Sequence, residues 1–130
     1  MEEALLALLR GSASVTALVP TARINWRRHP QGQPWPGIVL HAINDRDEYA
    51  IADVADLSEA RVQIDCWATT YGQAKAISRA VRALLSGYQG GVFYQMRLNG
   101  ARDARSTGTN EPDDPAGVSL DFTFHYRRAF

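Results

Sequence analysis

Hydrophobic and polar positions along this chain repeat in two periods. From Val118 to Arg128, apolar Val118, Leu120, Phe122, Phe124 and Tyr126 alternate with Ser119, Asp121, Thr123, His125 and Arg127. A period of two places each set on one face of a β-strand, and a strand of about ten residues with one apolar face must lie on an apolar partner. Arg61 to Ala68 repeats the pattern, with Val62, Ile64, Cys66 and Ala68 on one face and Arg61, Gln63, Asp65 and Trp67 on the other. Val92 to Leu98 alternates as well. Gly37 to Ile43 is nearly continuously apolar, which predicts a central strand covered on both faces. Ala22 to Trp26 reads as a short first strand.

The second period is helical. Between Thr70 and about Ser86, Ala74, Ile77, Val81, Leu84, Leu85 and Tyr88 recur at steps of three and four and gather on one face. Thr70 and Gln73 have capping-box spacing, and Gly87, Gly90 and Gly91 end the helix. Glu2 to Arg10 is a shorter helix with Leu5, Leu8 and Leu9 on one side, glutamates at its start and Gly11 at its end. A further turn runs from about Ser14 to Leu18, where Pro20 stops it. The predicted fold class is α+β, a largely antiparallel sheet packed against one long helix with a short N-terminal helix. Two segments, 44–60 and 102–117, lack a core pattern. They read as long loops, and loops of that length are usually functional, disordered or ordered by a partner. Arg27 to Pro36, with three prolines, is a third extended stretch.

The chain's 130 residues suit a single domain spanning 1–130. Fourteen basic and fourteen acidic side chains cancel, which argues against a nucleic-acid binder held by a global positive field. No apolar run approaches the ~20 residues that span a bilayer. Met1, Glu2 and Glu3 carry the wrong charge for a secretory signal, and the lone Cys66 cannot close an intrachain disulfide. The expectation is a soluble protein made in the cytosol, with no membrane partner.

Candidate chemistry is sparse. His29, His41 and His125 are scattered, so no metal site is expected. Asp121, Thr123, His125 and Arg127 share what reads as a solvated strand face. Cys66 alternates with Val62 and Ile64 and reads as a buried small hydrophobe. No nucleophile elbow or phosphate-cradling glycine loop occurs. The expectation is therefore no catalytic residue, no cofactor and no enzyme.

The charge layout is the feature above background. No acid occurs between Asp65 and Asp103, while Lys75, Arg79 and Arg82 lie within about 60° of one another on the long helix, opposite its apolar stripe. From Asp45 to Glu59 acids dominate, among them Asp45, Asp47, Glu48, Asp53 and Asp56, against Arg46 alone. Two readings stand: two solvated surfaces, or an acidic loop of one subunit meeting the basic helix face of its neighbour, a head-to-tail contact that can close into a ring. Trp26 and Trp35, near Arg27, Arg28 and His29, read as plugging a sheet edge or a protein interface, with base stacking as the alternative.

Three stretches carry a family resemblance. They are the leucine-rich opening helix with Ser14-Val15-Thr16-Ala17-Leu18-Val19 and Arg23-Ile24; Ala60 to Ala68 leading through Thr70-Tyr71 to Ala80-Val81-Arg82-Ala83-Leu84-Leu85; and Ser119-Leu120-Asp121-Phe122 through Tyr126-Arg127. In this order they resemble the tail-completion, or tail-terminator, proteins of long-tailed phages, gene transfer agents and prophages. The resemblance implies a structural virion protein of the tail and neck, assembled in a bacterial host's cytoplasm. It implies a homohexameric ring at the head-proximal end of the tail tube, which stops tube polymerisation and joins the tail to the head. The implied partners are sister copies, the tail tube protein and the head-tail connector or stopper protein, with DNA passing through without sequence-specific binding. The alternative reading is a small α+β ligand- or nucleic-acid-binding module.

Overall fold

The computed structural model describes residues 2–28, 35–47, 57–91, 93–105 and 116–127. In chain order these form helix α1 (Glu2–Arg10), the single turn α2 (Ala13–Thr16), a 3-10 turn (Thr21–Arg23), strands β1 (Ile24–Trp26), β2 (Gly37–Asp47) and β3 (Leu57–Ala68), helix α3 (Tyr71–Leu85), and strands β4 (Phe93–Arg105) and β5 (Ala116–Arg127). The five strands make one sheet in the order β1-β2-β3-β5-β4. All pairs are antiparallel except β1 with β2. The α+β class with a largely antiparallel sheet is therefore correct.

Alternation decides which face is buried. Val62, Ile64, Cys66 and Ala68 of β3 and Val118, Leu120, Phe122, Phe124 and Tyr126 of β5 all enter one core. α3 lies against β5 and β3, contributing Ala74, Ile77, Val81 and Leu85, with Leu84 and Tyr88 half-buried beside them. Each large apolar side chain so buried contributes roughly 1.5–3 kcal/mol. Phe93, Phe124 and Phe122 form a run of ring contacts, both with centroids 5.8 Å apart. The helix starts as its sequence requires: Thr70 Oγ1 accepts from the Gln73 amide nitrogen at 3.2 Å. The Gln73 side chain does not return the bond predicted by the capping box; its Oε1 accepts the Thr69 hydroxyl at 3.4 Å. At the other end Gly87 adopts φ +76°, a left-handed conformation that favours glycine.

α1 buries Leu5 and Leu9 and is tied to β1 through Arg10, whose Nε and Nη2 donate to the Ile24 carbonyl at 3.2 and 2.9 Å. β1 is shorter than predicted, because Thr21–Arg23 close a 3-10 turn before it. β2 is covered only in part. Ile38, Val39 and Leu40 are buried, but Ile43 is 57% exposed, so the prediction of a strand covered along its length fails at its second half, beyond the reach of β1.

The strands are longer than the periodicity predicted. Segment 44–60 was expected as a loop, yet β2 continues to Asp47 and β3 begins at Leu57, with Asn44↔Arg61, Asp45↔Ala60, Arg46↔Glu59 and Asp47↔Ser58 in register. Likewise Arg102 to Arg105 and Ala116–Gly117 lie in β4 and β5. Backbone pairing defines these strands where no apolar alternation marks them in sequence, although Ser58 and Ala60 are fully buried. The central parts of both expected loops, 48–56 and 106–115, lie outside the described residues, as does 29–34.

Candidate assembly surfaces

α3 presents its basic residues away from the sheet because its apolar stripe is pinned to it. Arg79 and Arg82 are exposed and form no ion pair with any described residue. Lys75 is half-buried, its Nζ 5.6 Å from the centroid of the Tyr71 ring, a cation–π contact worth roughly 0.5–1 kcal/mol at an exposed site. The Tyr71 hydroxyl in turn donates to Asp103 Oδ1 at 2.9 Å, tying the start of α3 to β4. The three predicted basic residues thus share one face, with Arg79 and Arg82 the free charges on it.

Of the predicted acids, Asp45 and Asp47 sit at the end of β2, while Glu48, Asp53 and Asp56 lie outside the described residues. The two tryptophans are built into the fold. Trp26 is half-buried against the core, and its Nε1 donates to the Glu2 carbonyl at 3.1 Å, pinning the start of α1. Trp35 packs on Trp67, with ring centroids 6.1 Å apart and planes at 49°. The Trp67 ring lies over Gly117, its cross-strand partner; a Cβ there would come within 2.5 Å of the ring.

The sheet face turned away from α3 is more organised than a solvated surface. Asp65 is 6% exposed. Its Oδ1 accepts from Ser119 Oγ at 2.6 Å and from Gln63 Nε2 at 2.9 Å, and its Oδ2 lies 3.3 Å from His41 Nε2. Arg102 bridges Asp121 and the Gln63 Oε1. One polar chain therefore crosses β2, β3, β5 and β4. Thr123, expected to be solvated, is 4% exposed and accepts from Asn99 Nδ2. His125 lies 3.6 Å from Glu59 Oε2, with its Nδ1 buried and unpartnered among the described residues. The alternation of polar residues in β3 and β5 was visible in sequence. What joins them is cross-strand register, Gln63↔Asp121 and Asp65↔Ser119, which the sequence does not state.

These groups support packing. Burial pushes the Cys66 thiol far up from its ordinary range, with the charge of Asp65 adding to the effect, so the thiol stays protonated and unreactive. Among the described residues no group of three or more histidines, cysteines or carboxylates is placed to hold a metal ion, and no helix is long and apolar enough to cross a membrane.

The described residues thus form an α+β fold with two exposed arginines on its helix and a cross-linked polar sheet face. The sequence matches the family described as tail completion protein gp17 over residues 3–127. The chain belongs to that family, and it is a structural protein of a phage-like virion tail. The fold is similar to a chain in a solved structure titled "Virion of native gene transfer agent (GTA) particle", with a TM-score of 0.65 and 22% sequence identity over 92% of this chain and 89% of that one. A search of curated proteins finds no match.

Proposed function

We propose that the protein, as one domain spanning its 130 residues, forms a homohexameric ring at the head-proximal end of the tail tube. There it ends tube polymerisation and offers its other surface to the head-tail connector, with DNA passing through the ring. The observation that carries this reading is the family match across nearly the whole chain. Two observations support it: Arg79 and Arg82 stand exposed on α3 with no ion pair among the described residues, and the sequence places two acids, Asp45 and Asp47, at the end of β2.

Assembly is measured by native mass spectrometry and light scattering. Charge reversal of Arg79 and Arg82 to glutamate is expected to weaken the ring at least about tenfold, equivalent to about 1.4 kcal/mol. Unchanged assembly removes the helix face from the contact. Particles made without this protein are expected to carry tubes of uncontrolled length, and tubes of normal length would refute the terminator role.

A further inference from the structure

We infer that copies of this chain join sheet edge to sheet edge, the outer edge of β4 in one copy pairing antiparallel with the free half of β2 in the next. This rests on the ring-forming reading above and adds to its helix-face contact a main-chain contact between neighbouring copies.

Among the described residues, both edges are unpaired for defined stretches. On one side, β1 pairs only with Ile38, Val39 and Leu40. The final bond to this edge is from the Arg27 amide to the Leu40 carbonyl, at 2.8 Å. Arg27 then takes φ 75°, which turns the chain off the sheet. From His41 to Asp47, no described residue pairs with the outer edge of β2. On the other side, the segment after α3 covers the start of β4, Gly90 bonding to Phe93 and the Gly87 amide to the Met96 carbonyl at 3.0 Å. From Arg97 to Arg105 no described residue pairs with the outer edge. Unpaired strand edges are templates for pairing with another chain, and proteins commonly blunt or cover them.

Direction and charge select the partner. β2 is antiparallel to β3, β3 to β5 and β5 to β4, so β2 and β4 run in opposite senses. A neighbour generated by rotation about an axis along the strands therefore brings β4 beside β2 antiparallel, continuing the hydrogen-bond pattern of the sheet. By sequence the open part of β4 holds Arg97, Arg102, Asp103 and Arg105, with Arg102 paired to Asp121 of its own chain, and that of β2 holds Asp45, Arg46 and Asp47, so a net positive stretch meets a net negative one. Unlike edges attract, whereas two β4 edges or two β2 edges would place like charges together. Ile43, at the bulge within the open stretch of β2, is 57% exposed, the highest value among the large apolar residues described. A neighbouring strand would cover it. Unlike edges on opposite borders make a heterologous contact, which closes into a ring or runs on as a filament.

The buried Cys66 leaves introduced cysteines as the reactive ones. The full-length variants Asn44→Cys and Arg46→Cys mark β2, Ala101→Cys and Asp103→Cys mark β4, and Ala7→Cys on exposed α1 is the control. A short thiol-to-thiol cross-linker spans direct and diagonal cross-strand neighbours. The expected result is a covalent dimer when a β2 variant is mixed with a β4 variant, none from either alone or from the control, and a ladder when one chain carries both. Cross-links only between like edges would overturn the proposal. Rings of normal size that give no edge cross-link would overturn the edge contact while leaving the ring. A chain that stays monomeric at every concentration would remove both.

Discussion

Asp65 and Cys66 are sequence neighbours on opposite faces of β3, and the sheet treats them differently. Asp65 keeps its charge company with Ser119, Gln63 and His41, while Cys66 sits wholly among apolar groups. Because burial raises the thiol above its ordinary value of about 9, the folded state holds this proton where the unfolded chain releases it. Stability from the protonated thiol is complete below about pH 9 and is lost as the pH rises beyond it. The slope is bounded by about 1.4 kcal/mol per pH unit. Denaturant unfolding of the native protein and Cys66→Ala at several alkaline pH values checks this. The native protein is expected to lose stability more steeply, and parallel curves would show that the thiol does not titrate on unfolding.

At the scale of elements, α3 depends on a single side-chain cap. Thr70→Ala removes the acceptor for the Gln73 amide and is expected to cost about 1 kcal/mol, read as a lower denaturation midpoint with an unchanged slope. Thr70→Ser, which keeps the oxygen, should recover most of it. The same element shows why sequence reading worked where it did. Ala74, Ile77, Val81 and Leu85 report the helix because each has a core to fill, and the alternation of β5 reports a strand for the same reason. Asp45 to Asp47, Ser58–Glu59 and Asp103 to Arg105 carry no comparable signal. They belong to strands through main-chain pairing, to which side-chain pattern is blind. The basic face of α3 was legible because one helix contains all of it. The polar chain from His41 to Arg102 was not, since its members come from four strands whose register only folding reveals.

At the scale of the whole molecule, the proposed borders for assembly are the arginine-bearing helix face and the two sheet edges that no described residue pairs along part of their length. Attraction between exposed charges is screened over about 8 Å at physiological ionic strength, while backbone pairing between strand edges is not electrostatic in that sense. Raising salt is therefore expected to slow and weaken assembly without abolishing it, as followed by light scattering against ionic strength. Complete insensitivity to salt would leave neither charged border a part in holding copies together. The neutral net charge of the chain is no obstacle, because what matters is how charge is divided between borders that meet.

Trp35 and Trp67, held 6.1 Å apart with Gly117 leaving room beneath, give the molecule an optical label of its own. Indole rings this close share their excited states, and both lie on the side of the sheet remote from α3. Trp26 is the chain's third indole, so in a Trp26→Phe variant circular dichroism and fluorescence in the indole bands follow that region, and a binding event there can be watched without attaching a dye.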